Sequence, residues 1–210
     1  MTGHGVSRQT LRRLPLYLSY LKSLSEDAPD NVSSTGIAEA LGLNPVQVRK
    51  DLASVASGGR PRIGYITREL IEDIEAFMGY SVMDNAVIVG AGRLGKAFLS
   101  YEGFTNYGLN ILAAFDADER VMGIEGEKRI LPMDQLKEFC QRMDVRIGII
   151  TVPACAAQQV CDLLVDSGML AIWNFAPVRL TAPSHILVQN ENMASSLALL
   201  SQHLAARLYK

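Results

Sequence analysis

At 210 residues, 49% apolar and 20% charged, the chain is long for one domain and comfortable for two small globular ones. The polar, basic segment Met1–Arg13 has no apolar core of a secretory signal, and no apolar run reaches membrane-spanning length. A net charge of −2 gives no global pull toward nucleic acid. Cys140, Cys155 and Cys161 fit no metal or disulfide spacing and suit a reducing cytoplasm, while His4, His185 and His203 are scattered, so no metal is expected.

In chain order, Pro15 suits the first turn of a helix running to about Leu24, with Leu18, Leu21 and Leu24 on one face. Ser25–Asn31 is polar, broken by Pro29, and reads as a loop. Ser33 or Ser34 can cap a second helix that ends at Gly42. The third helix has the sharpest signature: Asn44 as cap, Pro45 at the first helical position, and Gln47 as the reciprocal partner of the cap. Val48, Leu52 and Val55 form its buried stripe, which leaves Gln47, Arg49, Lys50 and Ser54 on other faces.

Two short helices joined through Leu41-Gly42-Leu43 make a helix-turn-helix. Its second helix fits a major groove, where Gln can pair adenine and Arg or Lys can pair guanine. Ser57–Ile66 then reads as a β-hairpin wing that offers Arg60 and Arg62 to phosphates, and a helix over Arg68–Met78 leads to Gly79. Between Asn44 and Tyr65, four basic residues (Arg49, Lys50, Arg60, Arg62) stand against Asp51 alone, a local +3 in a neutral chain. Residues 1–80 therefore read as a winged-helix DNA-binding domain.

From Asp84 the pattern turns to alternating strands and helices, as a parallel sheet requires. Strands are predicted over 86–89, 110–115, 129–131, 146–152, 169–174 and 186–189, with helices over 93–107, 134–143 and 156–167. The segment Gly90-Ala91-Gly92-Arg93-Leu94-Gly95 follows the first strand and opens a helix. Gly90 makes the tight turn, Gly92 admits a pyrophosphate to the backbone, and Gly95 lets the helix pack closely. Asp116, ending the next strand, is placed to bond the ribose hydroxyls of NAD and to repel a 2′-phosphate. Asp118 is a substitute for it, and Arg120 a partner for such a phosphate. The strand-end loops Thr151-Val152-Pro153-Ala154 and Asn174-Phe175-Ala176-Pro177 face the cofactor and are largely apolar. Cys155 reads as a small buried residue. Residues 84–190 thus read as a Rossmann NAD(H)-binding domain, and 191–210 as an amphipathic terminal helix carrying Leu197, Leu200, Leu204 and Leu208.

The combination resembles the Rex family of redox-sensing transcriptional repressors over nearly the whole chain. The words that carry the likeness are Arg13-Leu14-Pro15-Leu16-Tyr17, Val48-Arg49-Lys50-Asp51-Leu52, Gly64-Tyr65, Gly90–Gly95, Phe115-Asp116, Thr151–Ala154 and Asn174–Pro177. The resemblance implies a cytoplasmic homodimer that binds a palindromic double-stranded operator when NADH is scarce and leaves it when NADH accumulates. It implies a terminal helix exchanged between subunits, a tyrosine near the nicotinamide matching Tyr101, and an arginine of the first helix matching Arg13. Asn192 stands where the family commonly has an aspartate partnered with these two, and Ala53–Gly58 lacks the family's usual aromatic residues.

Two other functions fit parts of the sequence. One is a small NAD-dependent oxidoreductase with a helical N-terminal domain, against which stand the lack of a substrate domain and of a convincing acid. The other is a nucleotide-binding interaction module that never touches DNA, for which the four basic residues above would be dispensable.

Overall fold

The computed structural model describes residues 6–24 and 30–208, so the loop expected at 25–31 falls largely outside it, as does His4. The chain divides into two compact units, Met1–Val82 and Met83–Lys210, each built on its own buried apolar clusters.

The first unit runs α1 (Arg8–Ser23), β1 (Asn31–Val32), α2 (Ser34–Leu41), α3 (Pro45–Val55), β2 (Tyr65–Ile66) and α4 (Thr67–Met78). Helix α1 starts well before Pro15, because the Ser7 hydroxyl accepts the Thr10 N–H at 3.1 Å and caps the earlier turn. Pro15 is thus interior, not at the first turn as the sequence suggests. The carbonyl it leaves without a donor is that of Leu11, an exposed residue. Ser33 caps α2, and Gly42 ends it in the left-handed conformation at φ 64°. Asn44 caps α3 by accepting from the N–H groups of Val46 and Gln47. Leu14, Leu18, Leu21, Ile37, Val48, Leu52, Leu70 and Ile74 meet in the core between these helices.

One buried charge ties α3 to α1. Asp51 is 2% exposed and accepts hydrogen bonds from Thr10 Oγ1 at 3.0 Å, Arg13 Nε at 2.7 Å, Tyr17 Oη at 2.7 Å and Gln47 Nε2 at 2.9 Å. Burial alone would raise its carboxyl; the bonds from Arg13, Tyr17, Gln47 and Thr10 outweigh that and hold it down to about 2. Burial, then the bond to Asp51, pushes the Tyr17 hydroxyl up to about 12.

The wing is smaller than a full hairpin. Its return strand β2 pairs antiparallel with β1, Val32 opposite Tyr65, and its outgoing arm touches the return at a single bridge, Arg60 opposite Gly64. Gly64, at φ 92°, lies so close to β1 that a Cβ there would strike the Val32 carbonyl.

The second unit is a seven-stranded sheet of β3 (Asp84–Val89), β4 (Leu109–Asp116), β5 (Gly123–Glu125), β6 (Lys128–Pro132), β7 (Ile147–Ile150), β8 (Ala171–Asn174) and β9 (Leu187–Asn190). Its order is β5-β6-β4-β3-β7-β8-β9, parallel throughout except for the β5–β6 edge pair. The strand order reverses at β3 and β7, which is where open parallel sheets bind ligands. Helices α5 (Arg93–Leu99), α6 (Leu136–Arg142), α7 (Ala154–Asp166) and α8 (Met193–Leu208) complete it. Val87, Val89, Phe115, Leu136, Leu164 and Ile172 form one buried cluster; Ala86, Ile88, Leu99, Ile111 and Ile149 form the other.

Two expectations fail here. The helix expected over 93–107 stops at Leu99: the Ser100 hydroxyl donates back to the Lys96 carbonyl, Tyr101 turns extended, and a 3-10 turn (Glu102–Tyr107) follows. The short edge strand β5 is not predicted, because three residues give no alternation; only Gly126, at φ 62° in the turn to β6, signals it.

Removing the Asp51 carboxylate takes from Thr10, Arg13, Tyr17 and Gln47 the one anion on which their donors converge. We expect Asp51→Ala to destabilise the first unit by about 3 kcal/mol in denaturant unfolding. Because Asp51 titrates near 2 when folded against an ordinary 3.8, its contribution, on the order of 2 kcal/mol, is complete above about pH 4. It is lost as pH falls from there through about 2, and the Asp51→Ala protein lacks that acid-side loss.

Candidate nucleotide cleft and nucleic-acid interface

The nucleotide cleft, about 520 Å³, opens at the carboxyl ends of β3, β4 and β7, with Gly90, Gly92, Asp116, Thr151, Val152 and Pro153 on its walls. Gly90 sits at φ 106°, and a Cβ there would meet Thr151 and Val152. A Cβ on Gly95 would collide with the Gly90 carbonyl, which the Thr151 hydroxyl also binds at 2.7 Å. Gly92, by contrast, has open space where its Cβ would stand. The loop is therefore knotted at two glycines and bare at the third, which is the arrangement a backbone-hugging pyrophosphate needs. Leu94 is half-buried and Arg93 exposed at the start of α5.

Asp116 bridges β4 to the glycine loop: one oxygen accepts the Ala91 N–H at 2.6 Å, the other the Asp118 N–H at 2.9 Å. Asp118 itself turns to Arg120, whose hydrogen bonds draw its carboxyl down to about 2. That leaves Asp116 as the acid on the cleft, and Arg120 occupied by a carboxylate.

Not every predicted cofactor residue can touch a ligand through its side chain. Ala91 and Ala176 are buried, and Asn174 is completely so. The Asn174 amide donates to Val178 O and Asn190 Oδ1 at 2.8 and 2.9 Å and its oxygen accepts the Ala176 N–H, so Asn174 shapes its loop from beneath. Ala154 and Pro153 are exposed, and Val152 and Phe175 half-buried. Cys155 is exposed, against the expectation of burial, because it falls on the outer side of the first turn of α7; Cys140 and Cys161 are the buried thiols, and burial raises both.

Beside Phe175 lies an aromatic cluster that the sequence reading largely missed. Phe98 of α5 meets Phe175 edge-on at 4.7 Å and stacks on Trp173 at 6.2 Å, and Phe104 joins Trp173 to Tyr101, whose ring is 5.0 Å from it. The available signal was the spacing: Trp173 lies in β8 and Phe175 directly after its end, two residues on. Tyr101 is half-exposed at the edge of this cluster.

The other two residues matched to a switch have local partners. Arg13 belongs to the Asp51 network, and Asn192 caps α8 by accepting the Ser195 N–H at 3.1 Å.

In the first unit, Arg49, Lys50, Arg60 and Arg62 are exposed, and among the described residues none of them has a carboxylate within ion-pair distance. A cleft of about 590 Å³ is lined by Arg49, Arg60 and Arg62 together with Ser33, Ser34 and Thr35, hydroxyls around the start of α2 of which the sequence suggests only a capping role for Ser33 or Ser34. Arg62 sits on the wing at φ 67°, a left-handed backbone unusual for arginine. Two residues behave differently from expectation. Gln47 does not close a capping box but donates to Asp51, and Ser54 donates to the Asp51 carbonyl at 2.6 Å.

Among the described residues no cluster of three or more His, Cys, Asp or Glu could hold a metal, and no helix is long and apolar enough to cross a membrane.

Residues 5–53 match a family described as putative DNA-binding protein N-terminus, and residues 82–178 one described as CoA binding domain. The chain is 41% identical to the redox-sensing transcriptional repressor Rex of Treponema denticola, covering 91% of each chain. It is 40% identical to the protein of that name from Bacteroides thetaiotaomicron, over 95% of this chain and 91% of that one. Among solved structures, RSP, a Rex-family repressor, in complex with NAD+ and operator DNA superposes with a TM-score of 0.88 at 32% identity, covering 97% of this chain and 94% of that one. The chain belongs to the Rex family of redox-sensing transcriptional repressors.

Proposed function

We propose that the protein is a cytoplasmic repressor that binds double-stranded, palindromic operator DNA as a homodimer and is released by NADH, and is not an enzyme. The observation that carries this is the pairing, in one chain, of an acid-free arginine cleft on a winged helix with a nucleotide cleft of Rossmann form. The relatives support it: their names are those of repressors, and RSP is known both with operator DNA and NAD+ and with NADH. No histidine lines the cleft, and His185 and His203 are exposed away from its walls, so the oxidoreductase alternative has no evident proton donor.

In this reading, the loop of Gly90, Ala91, Gly92, Arg93, Leu94 and Gly95 receives the pyrophosphate at the bare Gly92 and the start of α5, while the N–H groups of Gly90 and Ala91 are held by the Phe115 carbonyl and Asp116 and keep the loop in shape. Asp116 takes the ribose hydroxyls and disfavours a 2′-phosphate. Val152, Pro153, Ala154, Asn174, Phe175 and Ala176 form the loops over the rest of the cofactor, with Tyr101 at the nicotinamide end. NADH and NAD+ differ by a hydride and by the ring's positive charge, and that difference is the signal. NADH shifts the protein to the DNA-free state only by the margin with which it prefers that state.

On the DNA side, Arg49 and Lys50 read the major groove, while Arg60, Arg62 and the hydroxyls of Ser33, Ser34 and Thr35 hold phosphates. Ser54 and Gln47 act within α3, with Gln47 free to reach a base only by leaving Asp51. The dimer is attributed to α8, whose Leu197, Leu200, Leu204 and Leu208 are all more than half exposed.

The direct test is a mobility-shift titration on a palindromic operator selected by this protein from random duplex. Saturating NADH is expected to abolish the complex, and NAD+ to leave it; a complex that survives saturating NADH overturns the sensing role. Replacing Arg60 or Arg62 by Ala should each weaken operator binding by roughly tenfold and lower the slope of log affinity against log salt by about one, whereas Arg49→Ala should relax the base preference at its position. Asp116→Ala should lose between tenfold and about a hundredfold in NADH affinity by calorimetry, and should narrow the gap between NADH and NADPH.

A further inference from the structure

The chain's single tryptophan is used twice. Its ring belongs to the aromatic cluster beside the nucleotide cleft, stacked on Phe98 and tilted against Phe175 with centroids 4.8 Å apart. Its N–H points elsewhere. An indole has one donor and no acceptor, so a half-buried one is satisfied by a single partner. That partner is Glu191, whose Oε1 lies 3.0 Å from Trp173 Nε1 and also receives the Gln189 amide at 3.3 Å.

Glu191 stands at a junction. It follows the last residue of β9, an edge strand whose neighbour in the sheet is β8, and its own N–H donates to the Asn174 carbonyl at 2.8 Å. The next residue, Asn192, is the cap of α8. From Phe98, one helical turn beyond the glycine loop, to the first turn of α8 there is thus a continuous path. It runs through ring stacking on Trp173, one charge-assisted hydrogen bond to Glu191, and one peptide unit to the cap.

We propose that the Trp173–Glu191 hydrogen bond is a positioning link by which the state of the aromatic cluster sets the base of α8, so that the response to NADH depends on two residues outside the cleft wall. The proposal rests on the NADH-responsive reading above. The physical reason is that Trp173 has little freedom. Phe98, Phe104 and Phe175 surround its ring, so a group entering beside Phe175 or Tyr101 displaces the indole with them. The carboxylate bonded to the indole then moves or loses its donor. Because the Glu191 backbone is held to β8, the yielding part is the turn into α8.

Three variants of the full chain separate this from plain packing. Trp173→Phe keeps an aromatic ring and removes the N–H; Glu191→Ala removes the acceptor; Glu191→Gln keeps an oxygen that accepts. Hydrogen exchange over Asn192–Leu197, read with and without NADH, reports the base of α8 directly. In the wild type and in Glu191→Gln, NADH is expected to change exchange there. In Trp173→Phe and Glu191→Ala that response should vanish while NADH affinity by calorimetry stays within about twofold, and operator release should need roughly tenfold more NADH. An unchanged exchange response in either disrupting variant, or none in the wild type, overturns the link. Wild-type protein that keeps its operator at saturating NADH defeats the repressor reading instead, and the exchange measurement still judges the link independently.

Discussion

The second unit depends on a missing methyl group. At Gly95 the backbone of α5 comes so near the end of β3 that no side chain fits between them, and the Thr151 hydroxyl closes the same point from β7. This contact sets three things at once. It aims the start of α5 at the cleft, it fixes the glycine loop that Asp116 then grips through Ala91, and it delivers Phe98 to the sheet face where Trp173 and Phe175 wait. A rigid knot at this place is what a sensor requires, since a ligand's small preference between two states is lost if the site can absorb it by local adjustment.

The two units solve opposite electrostatic problems. In the first, the one acid of the basic segment is buried and neutralised against Arg13, which leaves the surface cations unopposed. In the second, an acid is kept on the cleft wall and held by backbone N–H groups rather than by a cation, so it can still accept from a sugar hydroxyl.

Most of the fold was legible because its signals are local. Asn44-Pro45 starts a helix, Gly42 and Gly79 stop two others, and Gly90–Gly95, set between an apolar strand run and a helix-compatible stretch, reads as a strand-to-helix turn. What escaped was set by partners distant in sequence. The start of α1 depends on Ser7, a cap that precedes any apolar periodicity. Gln47 looks like a cap partner until Asp51, one turn on, proves to be a buried acceptor supported from a different helix. Asn174 looks like a ligand contact because polar residues at strand ends often are, yet its amide is consumed by the loop it supports. The aromatic cluster was half visible, since Trp173 near the end of β8 and Phe175 just past it are two residues apart; Phe98 joins them from α5, and Phe104 only because the helix breaks at Ser100.

The Asp51 network has a consequence for how operator preference can change. The outward residues of α3, proposed above to face DNA, share their helix with a carboxylate whose donors come largely from α1, so this helix is not a cassette to be exchanged between relatives. A transplanted helix must bring the acid at the same turn, and its host must bring the hydroxyls and the guanidinium that receive it. New base preferences in this scaffold are therefore expected to arise by single exchanges at outward positions such as Arg49 and Lys50, with the inward face inherited whole.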